Sequence, residues 1–373
     1  MSEHRNIPLY KVHMPDDLLS SLEEVLHSGK IAHGPNVLKF EKQLQEYIEN
    51  PYITSTRDIS TSIQLALFMA GVRPDDEVVA TPMACLATNM PVLNLFAKIK
   101  WIDLDPLTGN ISLSDLKNNI SEKTKAILLY HWAGNPIEIE QVNQIAVKYN
   151  IPVIDDAGEA FGAEINGKKL GNQLADYTVF SFHAIRHITT GDGAAIAFKS
   201  KDEYEKGIWL KRYGIHQPSF RDALGEINPK SDILVPGYNS YLNQLEATIG
   251  IHQMYDIAEI VRIHQKNGLY YDSILQDVPG ITVLKRPQNS KSAYWVYTFL
   301  AENRDALLHV LRNHGIYASK VHLRNDIYSC FGPITRQLPG VDAFDQKYIS
   351  IPSGWWVTKD DREFINNIIR KGW

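Results

Sequence analysis

The sequence predicts an α/β fold: a large domain built on a mostly parallel sheet, followed by a smaller C-terminal α+β domain. Short β-rich runs alternate with helical patterns through the first two-thirds of the chain, which is typical of strands joined by crossover helices. The pattern changes near residue 256, where a long helical stretch begins. The 373 residues, 44% of them hydrophobic, suffice for a large core without disulfides or metals.

The large domain is predicted over residues 1–255 and the small domain over residues 256–373. Within the large domain the predicted strands are Glu77–Thr81, Lys98–Asp103, Ala126–His131, Pro152–Asp156, Thr178–Phe182 and Ala194–Phe198. Apolar residues on one face predict helices over Asp16–Ser28 and Glu138–Tyr149. The small domain should contain a helix ending near Gln276, a strand Val296–Leu300, a helix from about Asp305 and a helix near Lys359–Arg370.

Composition excludes several classes of protein. Lys and Arg number 38 against 43 Asp and Glu, so the net charge of −5 argues against nucleic-acid and anionic-membrane partners. Cys85 and Cys330 are the two cysteines, which excludes a disulfide framework and a four-cysteine metal site. The start is polar, without the apolar core of a signal peptide, and no run approaches the roughly 18 apolar residues of a membrane span. We therefore expect a cytoplasmic protein without a bound metal.

The segment 151–198 is the densest in reactive side chains. One predicted strand ends in Asp155-Asp156, and a later one leads through Ser181 and His183 into the sequence TTGDG. Ligands of parallel sheets bind at the carboxyl ends of the strands, so both runs would point at one crevice. Each feature alone also has an ordinary explanation, because aspartates cap helices and Asp-Gly favours a hairpin turn. The segment suggests a site without identifying it.

Ordered motifs along most of the chain identify a family. The segments are residues 28–40, 71–92, 151–163, 180–194 and 237–250, followed by SAYWVYTF, NRDALLHVLRNHGIYAS and LPGVDAF. In this order they resemble the DegT-like family of nucleotide-sugar aminotransferases, which have the fold-type I architecture and depend on pyridoxal phosphate (PLP). The resemblance implies PLP or its aminated form, pyridoxamine phosphate (PMP), as cofactor.

The resemblance assigns roles around the cofactor ring. Asp156 stands where a buried carboxylate keeps the pyridine nitrogen protonated, and Asp155 would support it. Cys85 stands where an aromatic residue usually stacks on the ring; its sulfur could do so, or it could be a small buried apolar residue. Glu159 stands where the family has His or Gln beside the phenolic oxygen, and a carboxylate there would repel a phenolate.

The resemblance also assigns the phosphate site. Ser181 matches a phosphate-contacting serine, and Ser60 keeps the hydroxyl of a Gly-Thr pair that opens a helix. Ile59 replaces the glycine of that pair, and Asp58 could repel a phosphate unless it turns away. Asn239 matches an asparagine that reaches the phosphate from a neighbouring subunit, which implies a homodimer with shared sites.

Arg186 occupies the position of the family's cofactor-binding lysine. The pKa of a guanidinium lies so far above neutral that roughly one molecule in a million is uncharged at pH 7, so it cannot replace the amine. Three explanations stay open: an engineered replacement, a natural enzyme that uses another base, or a pseudoenzyme. His187 and His183 are the nearby candidate bases, although a lone histidine is more often structural. Departures at four positions (58, 59, 159 and 186) favour natural divergence over engineering.

The resemblance predicts transfer of an amino group from glutamate to a keto-sugar nucleotide, or a protein diverged from that reaction because the lysine is absent. The alternative is a noncatalytic binding or regulatory subunit. The loop VHLRND offers His322 and Arg324 as tentative substrate residues, with Asn325 and Tyr328 nearby, and a plain surface loop is the competing interpretation.

Overall fold

The computed structural model describes residues 5–373 and has a seven-stranded sheet at its centre. In chain order the strands are β1 Ile53–Thr56, β2 Glu77–Ala80, β3 Lys98–Trp101, β4 Thr124–Tyr130, β5 Val153–Asp156, β6 Tyr177–His183 and β7 Asp192–Phe198. Their spatial order is β1-β7-β6-β5-β4-β2-β3. β7 is antiparallel to both of its neighbours, and the other neighbouring pairs are parallel. The predicted α/β fold with a mostly parallel sheet is confirmed.

Helices cover both faces of this sheet, which explains why its central strands are mostly apolar. Ala126 to Leu129 of β4, for example, are all buried. The helices are α1 Leu18–His27, α2 Pro35–Ile48, α3 Ile59–Met69, α4 Leu86–Asn94, α5 Leu113–Asn119, α6 Ile139–Tyr149, α7 Lys201–Leu210, α8 Gln217–Phe220, α9 Gln244–Leu275, α10 Arg304–Asn313, α11 Pro339–Lys347 and α12 Lys359–Arg370. Short strands lie in the connections: Leu104–Asp105 pairs with Asn110–Ile111, and Glu164–Ile165 pairs with both Lys168–Lys169 and Ser290–Lys291. The 3₁₀ helices are Trp132–Gly134, Asn325–Ile327 and Ser329–Phe331. Each helix of residues 5–373 is too short or too polar to span a lipid bilayer.

A second, three-stranded antiparallel sheet lies in the C-terminal part, with β8 Ile281–Val283, β9 Tyr297–Ala301 and β10 Tyr348–Ile351 in the order β8-β9-β10. Its core also takes Ile7, which pairs with Ile316 in a parallel bridge. The start of the chain thus packs in the smaller unit. Helix α9 begins at a capping box of Asn243 and Glu246 and runs without interruption through the predicted boundary at residues 255–256. One rigid helix therefore joins the two parts.

The sheet places the candidate residues at one edge. Asp156 ends β5 and lies beside Val179 of β6, two residues before Ser181. Helix α3 contacts β5, β6 and β7, so its first residues lie close to the same edge. This edge is where the sequence predicts a ligand.

Candidate functional site

Asp156 is buried at the end of β5 and is held by two donors. The Thr88 hydroxyl donates to its Oδ2 at 2.6 Å, and the Gly158 N–H donates to its Oδ1 at 2.9 Å. Burial nevertheless raises the pKa of Asp156 to about 6. A cation beside this carboxylate would replace the missing solvation. Asp156 therefore suits a protonated ring nitrogen. Sequence reasoning missed Thr88, although its motif was part of the resemblance.

Asp155 points to a different partner. The Nδ1 atom of His131 accepts the Ile137 N–H at 3.0 Å, so its Nε2 atom carries the proton. That Nε2 lies directly against the Asp155 carboxylate, and both side chains are fully buried. The pair anchors the end of β4 to the end of β5, and so fixes the strand that presents Asp156.

The centre of the site is a buried ion cluster. Arg186 Nη1 donates to Glu159 Oε1 at 3.0 Å, and His322 Nε2 donates to the same oxygen at 2.8 Å. The Ala133 N–H donates to Glu159 Oε2 at 2.9 Å. Burial alone would raise the pKa of Glu159, but His322 and Arg186 outweigh it and lower that pKa below its ordinary value. Glu159 is therefore a carboxylate whose charge is satisfied within the chain.

Aromatic rings enclose this cluster. The Arg186 guanidinium carbon lies 4.4 Å from the centroid of the Trp295 ring, a cation–π contact. His322 is nearly parallel to Trp295, at 13° and 6.2 Å between centroids, and Tyr10 stacks on Trp295 at 5.0 Å. The Trp295 Nε1–H donates to the Ile185 carbonyl at 2.6 Å, which fixes the ring next to the turn that carries Arg186. Sequence reasoning missed Trp295, because an aromatic residue in a β-rich run is usually core.

The α3 end of the site brings together Ile59 and Ser181. A Cβ atom placed on Gly158 would lie 2.8 Å from Ile59 Cδ1 and 3.2 Å from Ser181 Cβ, so these side chains meet over one glycine. Ser181 is buried, and its hydroxyl accepts the His183 N–H at 3.3 Å. Ser60 is half-buried and donates to the Ala87 carbonyl at 3.4 Å. The structure thus brings Ile59 and Ser181 together, while the neighbouring Ser60 contacts Ala87.

Cys85 precedes α4 and lies half-buried near the ion cluster. Burial raises the pKa of its thiol, and Arg186 opposes that rise. Arg186 and Asp156 both influence this thiol electrostatically, so Cys85 lies in the neighbourhood of these two side chains.

His187 lies behind the site. Its Nε2–H donates to the Ala293 carbonyl at 2.9 Å, and its fully buried ring packs on His264 with 4.6 Å between centroids. Burial lowers the pKa of His187 well below its ordinary value. The sequence predicts that His187 and Arg186 face opposite sides of an extended stretch. The stretch is a turn, and the two side chains still point to different partners.

The remaining predicted residues lie further out. Asn239 is exposed and forms an antiparallel bridge with Arg212. Arg324 binds Asp326 through Nε at 2.7 Å and Nη2 at 2.6 Å, and its Nη1 contacts Asp342. The guanidinium of this candidate substrate residue is therefore engaged by two carboxylates. Within residues 5–373, no cluster of three or more His, Cys, Asp or Glu side chains is arranged to hold a metal ion.

The donor set can be tested against PLP and PMP. Asp156, with its pKa raised by burial, fits the ring nitrogen, and Ser181 lies on the adjacent strand within reach of the same crevice. Arg186 offers a guanidinium and no free amine, so the residues present fit a ring that this side chain does not bind covalently.

Comparison with known proteins settles the family. Residues 13–370 match the DegT/DnrJ/EryC1/StrS aminotransferase family. The chain belongs to this family. It is 26% identical over 362 residues to UDP-4-amino-4-deoxy-L-arabinose–oxoglutarate aminotransferase of Shewanella sediminis, covering 93% of this chain and 92% of that protein. The sugar aminotransferase CalS13 of Micromonospora echinospora has the same fold, with a TM-score of 0.93 and 33% identity over 98% of this chain and 100% of CalS13.

The family match also bears on the cofactor. The sugar aminotransferase Spr1654 of Streptococcus pneumoniae, solved in a PMP form and a PLP form, shares the fold with a TM-score of 0.88 at 21% identity over 98% of each chain. Membership of the family supports PLP or PMP as the cofactor, as the sequence predicted.

Proposed function

We propose that the chain is a nucleotide-sugar aminotransferase homologue that holds PLP or PMP without a covalent bond. In this proposal Arg186 stands at the lysine position of the family, and a keto-sugar nucleotide is the second ligand. The observation that carries the proposal is the position of Arg186. Its side chain is 7% exposed, reaches the centre of the site and pairs with Glu159 at 3.0 Å.

Arg186 cannot take over the chemistry of a lysine. Burial alone would lower its pKa, but Glu159 and neighbouring groups raise that pKa above the ordinary value. An arginine at its ordinary pKa is already neutral in roughly one molecule in a million at pH 7, and the ion pair reduces this fraction further. The side chain therefore neither attacks a carbonyl carbon nor accepts a proton at neutral pH. Its role is to place a positive charge against Glu159.

PLP and PMP, when bound, supply an electron sink and carry the amino group. Asp156 would hold a proton at the ring nitrogen, and Thr88 fixes the Asp156 carboxylate for that contact. His322 holds a proton on Nε2 at the centre of the site, 2.8 Å from Glu159. It is the titratable side chain best placed to move a proton there, whereas His187 is turned away. Trp295 and Tyr10 exclude water from this side.

The substrates follow from the family and from one relative's name. That relative is named an aminotransferase acting with oxoglutarate on a UDP-sugar, and glutamate and oxoglutarate interconvert when an amino group is transferred. We propose a keto-sugar nucleotide as the ligand and glutamate as the amino donor wherever turnover occurs. The tentative substrate residue Arg324 would contribute after it separates from Asp342, its exposed partner.

A homodimer is part of the proposal. Asn239 is exposed and adjoins a stretch with large exposed apolar side chains, a pattern that suits a contact with a second copy. The stretch includes Tyr213, Leu224, Ile227 and Leu234, whose exposed fractions are 51%, 87%, 60% and 85%. Asn239 would then reach the site of the partner.

The test compares the natural chain with Arg186→Lys. Each is incubated with PLP, reduced with borohydride, digested and analysed by mass spectrometry. We expect no cofactor adduct on the peptide containing residue 186 in the natural chain and an adduct there in Arg186→Lys. Arg212→Lys, a change at a half-buried arginine outside the ion cluster, is the matched control and should gain no adduct. Arg186→Lys/Glu159→His covers the case in which Glu159 keeps the new lysine protonated.

Turnover decides between the two candidate functions. A natural chain that aminates a keto-sugar nucleotide with glutamate as fast as Arg186→Lys would contradict the proposal. Ligand binding without turnover would support the second candidate, a noncatalytic binding subunit, which the buried Arg186–Glu159 pair favours.

A further inference from the structure

The first turn of α3 already holds an anion, and that anion belongs to the chain. The Asp58 Oδ1 atom accepts the Thr61 N–H at 2.8 Å, and its Oδ2 atom accepts the Thr61 hydroxyl at 2.5 Å. The Asp58 carbonyl accepts the Ser62 hydroxyl at 2.6 Å. The N-terminus of a helix carries unpaired N–H groups and a positive dipole end, both of which favour a negative charge. Asp58 uses these donors as an N-cap.

Residues next to Asp58 also oppose the binding of a further anion at the N-terminus of α3. The next residue, Ile59, extends its Cδ1 atom into the notch over Gly158 beside Ser181. A second carboxylate, Asp192, lies nearby: burial raises its pKa, His183 and Arg57 oppose that rise, and Asp58 adds to it. A further anion placed here would meet two carboxylates and lose the Thr61 donors.

We propose that Asp58 is an internal competitor for the phosphate of a ring-bearing ligand, so that phosphate binding requires Asp58 to leave the N-terminus of α3. The inference rests on the proposed function, because it concerns the phosphate of the cofactor proposed there. Asp58 and a phosphate dianion cannot share the same donors. The phosphate therefore contributes little to ligand affinity in the natural chain, and affinity comes mainly from the ring.

The test compares PMP with pyridoxamine, which differ only in the phosphate, by calorimetric titration of the natural chain and of Asp58→Asn. Asparagine is also a good N-cap, so the helix should keep its start. Charge-assisted hydrogen bonds are about twice as strong as neutral ones, so we expect the preference for PMP over pyridoxamine to rise roughly tenfold or more in Asp58→Asn. Asp76→Asn is the matched control, because Asp76 also accepts a backbone N–H, from Arg73 at 2.8 Å, far from this turn. It should leave the preference unchanged.

Inorganic phosphate provides a second measurement that does not depend on the ring. Thermal shift with phosphate should stabilise Asp58→Asn more than the natural chain or Asp76→Asn. Equal PMP preferences and equal phosphate effects in all three proteins would overturn the role of Asp58. Failure of every protein to bind pyridoxamine and PMP would instead refute the proposed function, while the phosphate measurement would still decide the inference.

Discussion

The strongest expected effect on stability comes from Glu159→Gln. Glutamine keeps the shape of the side chain but removes the charge that faces Arg186. The Glu159 side chain is 0% exposed and that of Arg186 is 7% exposed, so water cannot replace the lost partner. Removing one member of a buried ion pair costs about 3–5 kcal/mol. The Trp295 contact and the amide oxygen of glutamine retain part of the interaction, so we expect a loss of about 3 kcal/mol in the free energy of unfolding.

A double-mutant cycle isolates the pair. The proteins are Glu159→Gln, Arg186→Met and the double variant, and the measurement is urea unfolding followed by circular dichroism and tryptophan fluorescence. Because the double variant removes both charges, we expect it to be more stable than the sum of the single losses by at least about 2 kcal/mol. The exposed pair Lys42–Glu46, at 3.7 Å, is the matched control and should give a coupling below about 1 kcal/mol.

A coupling energy within about 0.5 kcal/mol of zero at Glu159 and Arg186 would refute this reasoning, because independent sites add within that margin. Glu159 would then be stabilised by Ala133 and His322 alone. The same result would also weaken the assignment of Arg186 as the counter-charge of the site.

Three further predictions concern stability. Burial lowers the pKa of His264 to about 4, so the unfolded chain binds a proton at a higher pH than the folded chain does. The free energy of unfolding should therefore be highest above about pH 6.5 and fall by about 3 kcal/mol towards pH 4. Urea unfolding at each pH should show a smaller fall in His264→Asn. Gly268→Ala, a change that helps an open helix by about 1 kcal/mol, should here cost about 2–3 kcal/mol, because the new Cβ would lie 2.1 Å from Tyr294 Cδ1; an unchanged or raised melting temperature would contradict this. Asn243→Ala removes the capping box of α9 and should cost about 1 kcal/mol, whereas Asn243→Asp should restore most of it.

Most of the sheet was predictable because burial on both faces makes its central strands mostly apolar, a signal that needs no knowledge of distant contacts. Strand β1, Ile53–Thr56, was missed for a physical reason. Its Thr54 and Ser55 are polar and buried, and they become satisfied only when Glu41 and Lys211 arrive from distant positions. Nothing in the sequence ITST reports those partners. The hydrophobic periodicity of a sequence does not reveal long-range polar networks of this kind.

The candidate site was predictable in part. The position of Asp156 at a strand end follows from the alternation of strands and helices, and the family resemblance adds its role. The contact between Glu159, Arg186 and His322 could not be predicted from that alternation or from the resemblance. Glu159 follows β5, Arg186 lies in the turn after β6, and His322 lies in a loop of the smaller unit. Their contact depends on how that unit docks, so the sequence placed His322 only as a tentative substrate residue.

Glu159 and Arg186 depend on each other in physical terms. A buried guanidinium is always charged, so an arginine in this crevice needs a carboxylate within contact distance, and Glu159 supplies it at 3.0 Å. Conversely, a buried Glu159 needs the cation, since burial alone would raise its pKa. Neutralising either residue alone leaves an unpaired charge, whereas a lysine at position 186 would stay protonated beside Glu159. The combined variant Arg186→Lys/Glu159→His removes that carboxylate and is therefore the sharper test of whether a lysine at this position can bind the cofactor covalently.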